Sequence, residues 1–341
     1  MRFIVTGGAG FIGSNTVQRL LAEGQDVTVI DNLSRAGSER NLAWLRQQGD
    51  FEFIQQDVRD FDGLRRAIAP RRSAEAVLHF AAQVAVTSSV SNPREDFEIN
   101  ALGTFNVLEA LRAEKMSPLV LFTSTNKVYG ELTQLRIEEG ETRYRYVDHP
   151  QGVDEATPLD FYSPYGCSKG AADQYVRDYA RIYGLPTVVF RNSCIYGTRQ
   201  FGIEDQGWLA WFVIAAQQGR PISIYGDGKQ VRDALFVDDL VEAMLSAVGA
   251  PEVVAGKAYN IGGGPERTIS VWREFGPILE SLRGRPLEVS YHAWRPGDQK
   301  VFVSDIRRAK ADLGWEPSVS VEDGIRRLFE WVGQNPELFD A

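Results

Sequence analysis

The stretch from Arg2 to Ala22 constrains the fold more than any other part of the chain. A short apolar run, Arg2–Thr6, leads into Gly7, Gly8, Ala9, Gly10, Phe11, Ile12 and Gly13, and a helical pattern follows from about Ser14 to Ala22. Strand, glycine turn, helix is the opening of a parallel α/β unit that holds a dinucleotide. Gly7 permits the tight turn, Gly10 lets the backbone approach a pyrophosphate, and Gly13 lets the helix pack on the strand. Phe11 and Ile12 sit in the same turn, and the helix N-terminus faces the anion. A second strand, Asp26–Ile30, ends at Asp31 and Asn32, near the spacing expected for a carboxylate that accepts from an adenosine ribose 2′-OH. Such an acid repels a 2′-phosphate, so the expected cofactor is NAD rather than NADP. Arg35 is the nearby residue that would favour the phosphate.

Beyond this unit, short apolar strands alternate with amphipathic helices, the pattern of a doubly wound parallel sheet in an α/β fold. Strands are expected at Phe51–Ile54, Ala76–Phe80, Leu119–Thr123 and Thr187–Phe190, and helices at Phe61–Ala69, Pro93–Ala113 and Pro164–Tyr183. Ligands bind such sheets at the carboxyl ends of the strands, which singles out Asp57 and Val58, then Ala81, Ala82 and Gln83, then Ser124 and Thr125. The polar segment 131–160 has no clear period and reads as a long loop, a feature often tied to function. From Ser193 the elements shorten between glycine-rich turns. The expected organisation is a dinucleotide-binding domain of residues 1–192, joined by a returning helix and strand within about 233–262 (Asp233–Val248 and Ala258–Ile261), and a smaller C-terminal substrate domain of residues 193–232 and 263–341.

Tyr165 and Lys169 are four residues apart and share a helix face. An ammonium beside a phenol favours its ionised form, making Tyr165 a base near neutral pH, and Thr125 at the preceding strand end supplies a hydroxyl to the same substrate oxygen. Tyr-x-x-x-Lys alone is common by chance; its weight comes from the glycine turn before it. The 341 residues carry a net charge of −9 without Lys/Arg runs, which argues against nucleic acid as a partner and makes phosphate recognition local. Cys167 and Cys194 are the only cysteines and there are three histidines, too few for a disulfide framework, and no metal site is expected. No stretch approaches the ~18 apolar residues of a membrane span. The chain enters its first strand directly, leaving no room for a signal peptide, so no membrane is expected as a partner and the cytoplasm is the expected compartment. His79, inside a strand, reads as a core residue, and Cys194 as a small buried one.

The residues Thr6–Gly13, Asp31–Leu33, Thr125, Tyr165 with Lys169, and Gly226–Asp233 together resemble the extended short-chain dehydrogenase/reductase family, which remodels nucleotide-activated sugars. Within it, Thr125–Gly130, Ser163–Tyr175, Tyr196–Gln200, Asp205–Trp208 and Asp298–Val303 are similar to the branch of CDP-tyvelose (CDP-paratose) 2-epimerases, and the likeness runs end to end. It implies transient oxidation of a sugar carbon with bound NAD, rotation of the keto-sugar and return of the hydride. Thr125, Tyr165 and Lys169 would be catalytic, and Lys169 would also bond the nicotinamide ribose. Dehydratases on the same scaffold use an Asp-Glu pair where this chain has Asn126 and Lys127, so elimination is not expected. The same likeness places Asn100 at the active-site helix and cofactor. Gln83, Asn126, Lys127, Arg199, Gln206, Trp208, Arg232 and Arg295 are then the candidate substrate contacts, with the two last on the diphosphate.

Several points stay open on the residues alone. Trp208 suits a sugar or base contact and core packing equally. Lys127 could bond the sugar, bond a loop carbonyl or neutralise an acid. Where tyvelose-forming relatives carry a His, this chain has Asn192, and its Trp294–Asp298 segment also differs, so a 3,6-dideoxyhexose and a full hexose both fit. The CDP-linked nucleotide is favoured by resemblance. A UDP-sugar 4-epimerase is the alternative with the same residues, and a non-catalytic NAD-binding regulatory protein is the alternative of another class. A homo-oligomer built on Pro93–Ala113 and Pro164–Tyr183 is expected by analogy.

Overall fold

The computed structural model describes residues 1–295 and 298–339. Its centre is a seven-stranded parallel sheet. Five strands are β1 (Arg2–Thr6), β2 (Asp26–Asp31), β3 (Glu52–Gln55), β4 (Ala76–His79) and β5 (Leu119–Thr125); Thr187–Asn192 and Lys257–Ile261 complete it. Across the sheet the order is Lys257–Ile261, Thr187–Asn192, β5, β4, β1, β2, β3. The chain therefore runs outward from β1 to β3 and restarts on the other side at β4. That reversal opens a crevice at the carboxyl ends of β1 and β4, where ligands of such sheets sit.

Both faces are covered, so the strands are apolar without alternation. One face packs α1 (Phe11–Ala22) and the helix Val237–Val248 through Val5, Val17, Val29, Leu240 and Met244. The other packs Phe61–Ile68, Gly103–Ala113 and Ser163–Tyr183 through Ile4, Leu64, Val107, Phe122 and Val176. A separate core holds Phe212, Phe236, Trp272, Phe275, Ile325 and Leu328, from the helices Trp208–Gln218, Phe275–Arg283 and Val321–Gln334 and a small sheet.

Three expectations need correction. The helix read as Asp233–Val248 begins at Val237, because Val231–Phe236 is a strand, parallel to Cys194–Tyr196 and Val301–Phe302 and antiparallel to Thr268–Ser270. All six of its residues are buried, and Asp233 is stabilised there by accepting from Ser304 N at 3.1 Å and Gly264 N at 3.3 Å. The loop 131–160 contains a hairpin of Ile137–Glu139 and Tyr144–Tyr146. It docks on the turn between Ile222–Tyr225 and Val231–Phe236 through Tyr144, whose hydroxyl donates to Asp227 at 2.6 Å and whose N–H donates to Lys229 O; its strands are too short and charged to show a period. The helix expected at Pro93–Ala113 is interrupted at Glu98–Leu102 by a wider π-type turn, a local form often found at functional sites. Among the described residues no helix is long and apolar enough to cross a membrane, and no cluster of His, Cys, Asp or Glu could hold a metal.

Candidate active site

A cavity of about 410 Å³ lies over the carboxyl ends of β1, β2, β4 and β5 and extends to Trp208 and Arg232. Its floor is the glycine turn. Gly7 adopts φ +71°, and a Cβ on Gly13 would collide with the Gly7 carbonyl, so close packing of α1 on β1 depends on both. Gly10 caps α1, which has no side-chain cap and no acid in its first turn. Its first N–H groups are therefore free for an anion. Phe11 and Ile12 line the same wall, as do Val58, Ala81 and Ala82.

Asp31 closes the β2 side. It is buried and accepts from Ala9 N at 3.0 Å and Leu33 N at 2.8 Å. Burial pushes its carboxyl above the usual range, opposed by those two bonds. Asn32 donates to Asp57 at 2.8 Å, and Arg59 grips Asp57 through both of its carboxylate oxygens. Hydrogen bonding by Arg59 holds the Asp57 carboxyl down at about 2. Arg35 lines the cavity and bonds the Gln206 side chain across it. Ser124 Oγ and Asn192 Oδ1 are buried on the wall without a partner among the described residues. A glycine cradle a Cβ would fill, a bare helix N-terminus, a buried acid on β2 and two unpaired polar atoms fit a dinucleotide.

Thr125, Tyr165 and Lys169 all face this cavity. Thr125 ends β5 and accepts from Lys127 N at 3.3 Å; Tyr165 and Lys169 come from the first turns of the helix Ser163–Tyr183. Their proton affinities differ from the sequence-based expectation. Burial pushes the Tyr165 phenol up to about 12; hydrogen bonding by Thr125 and the charge of Arg35 oppose it, and Asp96 adds to it. The Lys169 Nζ donates to Thr123 O at 2.6 Å and sits 4.2 Å from the centre of the Phe122 ring. Burial pulls that ammonium down to about 7, with Asp173 and Asp96 pulling the other way.

Asn126, Lys127, Arg199, Gln206, Trp208 and Arg232 also line the cavity. Burial pulls the Lys127 ammonium down to about 8, the Arg232 charge adds to this and Asp298 opposes it. Arg232 is buried, with Nη2 on Asp298 at 2.6 Å. Trp208 packs edge-on against Phe212 and Phe275 while touching the cavity, so it serves both readings. Arg199 lies between the rings of Trp44 and Trp331, at 4.1 and 5.5 Å from their centres.

Three candidates sit elsewhere. Gln83 does not line the cavity; its side chain bonds both backbone groups of Ala85, and its own N–H donates to Asn100. Asn100 is buried behind the wall, on Gln83, Asp96 and Ser168. Arg295 lies over the Tyr225 ring at 3.9 Å and pairs with Asp205 at 3.1 Å, while Pro296 and Gly297 of its segment lie outside the described residues. His79 bonds Thr6 at 2.6 Å and Thr104 at 2.9 Å, and burial pulls its ring down to about 3, a neutral core residue. Cys194 lines the cavity as a thiol that burial pushes up to about 12. The sequence reading passed over Asp96 and the Arg35 to Gln206 contact; both depend on residues far apart in the chain.

A seven-stranded doubly wound sheet with a dinucleotide cradle and Thr, Tyr and Lys on one cavity wall defines an extended short-chain dehydrogenase/reductase. The chain belongs to the family described as GDP-mannose 4,6-dehydratase, which matches residues 4–328. It is 45% identical to CDP-paratose 2-epimerase of Salmonella typhi over 97% of this chain and 99% of that one. Among solved structures it is similar to UDP-glucose 4-epimerase of Thermus thermophilus in complex with NAD (TM-score 0.81, 34% identity, 97% of this chain and 98% of that one). It is also similar to the dTDP-glucose 4,6-dehydratase DesIV of Streptomyces venezuelae with NAD bound (TM-score 0.86, 31% identity, 100% and 99%).

Proposed function

We propose that this chain is an NAD-dependent nucleotide-sugar 2-epimerase that interconverts the CDP-linked 3,6-dideoxyhexoses paratose and tyvelose. The observation that carries the reading is the makeup of one wall: Thr125, Tyr165 and Lys169 face the cavity, and the next two residues after Thr125 are Asn126 and Lys127. Neither supplies the carboxylic acid that elimination of water requires. Reversible oxidation at one carbon is what this wall supports, and the relative from Salmonella typhi carries a name for that chemistry.

The glycine turn and the α1 N-terminus would hold the diphosphate of NAD, Asp31 and Asn32 its adenosine ribose, and Lys169 its nicotinamide ribose. The chemistry supplied by bound NAD is reversible acceptance of hydride from the sugar carbon, so the overall reaction is redox-neutral. Tyr165 takes the proton of the sugar hydroxyl and later returns it, while Thr125 bonds the same oxygen. Lys169 and the cationic nicotinamide would favour the phenolate through their charge, and Thr125 and Arg35 also pull the phenol down. Arg232 and Lys127 supply the local positive charge that keeps the diphosphate anchored while the ketone turns and presents its other face. Arg295, outside the cavity wall, acts on the substrate only by leaving Asp205.

The exposed apolar residues Phe97, Leu102, Tyr175, Ile182 and Tyr183 lie on the helices expected to pair, which supports a homo-oligomer. The test of function is NMR of sugar proton couplings after incubating the purified protein, without added cofactor, with CDP-paratose and CDP-glucose separately. Inversion at C2 is expected, faster on CDP-paratose. Activity on UDP-glucose alone, with inversion at C4, would replace this reading with a 4-epimerase.

A further inference from the structure

Behind the turn that carries Tyr165 and Lys169 lies a buried acid. Asp96 is 1% exposed. One of its carboxylate oxygens accepts from Ser168 Oγ at 2.5 Å and the other from Asn100 Nδ2 at 3.0 Å. Asn100 Nδ2 also reaches Ser168 Oγ at 3.1 Å, and Asn100 Oδ1 accepts from Gln83 N at 2.9 Å. Ser168 is three residues after Tyr165 and directly before Lys169, so these bonds tie the reactive turn to the chain leaving β4. Asn100 lies within the π-type turn Glu98–Leu102, and Asp96 lies two residues before it.

Among the described residues Asp96 forms no ion pair; its hydrogen bonds come from an amide and a hydroxyl. A buried carboxylate with only neutral donors is costly, and a neutral Asn or Ser could meet the same two partners. What the acid adds is charge. We propose that Asp96 is a positioning residue of the catalytic centre, which fixes Ser168 and Asn100 behind the Tyr165/Lys169 turn and supplies the counter-charge to the buried Lys169 ammonium. This rests on the roles proposed above for Tyr165 and Lys169.

Other charged groups face the same two residues. Lys169 is faced by Asp173 on its own helix, itself paired with Arg191, and by neutral His79 on β4. Tyr165 is faced by Arg35. Glu95 and Glu98, beside Asp96, bond Asn92 and Arg94. Asp173 also raises the proton affinity of Lys169, and Asp96 is the acid that raises that of Lys169 and of Tyr165 together. Removing it therefore lowers both. Turnover that needs the Tyr165 phenolate rises with pH, so loss of the Asp96 charge moves that rise to lower pH.

The test is kcat against pH on the nucleotide sugar that the wild-type protein epimerises, for the NAD-containing wild type, Asp96→Asn, Asp96→Glu and Ser168→Ala. For Asp96→Asn the expected result is a rise of kcat with pH displaced to lower pH by about one unit, the scale of one charge at an effective dielectric near 20, with Asp96→Glu restoring most of the displacement. Ser168→Ala, which keeps every charge, should lower kcat without moving that rise. A folded Asp96→Asn with an unmoved profile overturns the counter-charge role. Should Asp96→Asn fail to fold, Ser168→Ala at wild-type kcat overturns the positioning role. Tyr165→Phe is the separate control: full activity in that variant defeats the proposed catalytic roles themselves, whatever Asp96 does.

Discussion

Lys169 donates to the main-chain carbonyl of Thr123 at 2.6 Å, so the helix that carries Tyr165 is bolted to the strand that presents Thr125. The bond keeps the two hydroxyls on one wall, and it places an ammonium where burial lowers its proton affinity to about 7.

That placement has a thermodynamic signature. In the unfolded chain a lysine titrates at about 10.4, so between about pH 7 and that value the unfolded state binds more protons at Lys169 and stability rises with pH. The limiting slope is about 1.4 kcal/mol per pH unit. Lys169→Met should remove this rise. Urea unfolding of the NAD-free wild type and variant at pH 7 and pH 9 measures the difference; parallel curves would mean that Lys169 is solvated.

Tyr165→Phe removes the proton acceptor and leaves the ring volume and the cavity wall in place. Turnover should drop by about 10²–10⁴, with co-purifying NAD, read by absorbance after denaturation, unchanged. Loss of NAD along with activity would show that the phenol holds the cofactor rather than moving a proton.

Arg191 and Asp173 form an ion pair with side chains 2% and 0% exposed, and Arg191 also reaches the Tyr129 hydroxyl at 3.1 Å. Asp173→Ala strands a buried guanidinium, a change worth about 3–5 kcal/mol of stability. It also removes an acid that helps Lys169 stay charged, so Asp173→Ala should lose stability in denaturant melts and lose alkaline-side activity together. A variant as stable as wild type would mean that water reaches Arg191.

Much of the dinucleotide side was legible because its signal is local. Gly7 to Gly13 and Asp31 lie within 25 residues, and a Tyr and Lys four apart declare a shared helix face without tertiary information. The parts that were missed pair distant residues: Arg35 with Gln206, Arg199 with Trp331, Asp96 with Ser168. The strand Val231–Phe236 was read as the start of a helix because its partners, Cys194–Tyr196 and Val301–Phe302, arrive from far along the chain. Burial was the other hidden quantity. It pushes the Tyr165 phenol up, since desolvation outweighs the Thr125 hydrogen bond and the Arg35 charge.

Arg232 and Asp298 give the last prediction. The guanidinium lines the cavity, 8% exposed, with Nη1 on Val231 O at 2.8 Å and Nη2 on Asp298 at 2.6 Å. An arginine already paired with a carboxylate must share its charge with an incoming diphosphate, and Asp298 also repels that diphosphate directly. Asp298→Asn keeps a hydrogen-bonding side chain of the same shape and removes the repulsion, so CDP should bind about tenfold more tightly, or about 1.4 kcal/mol. Arg232→Lys keeps a charge but loses the planar two-donor fork that matches a phosphate, so it should weaken CDP by a comparable factor while leaving NAD bound. Calorimetric titration of CDP into the NAD-containing proteins reads both. Weaker binding by Asp298→Asn would mean that Asp298 aims Arg232 more than it competes for it, and unchanged binding in Arg232→Lys would remove Arg232 from the diphosphate site.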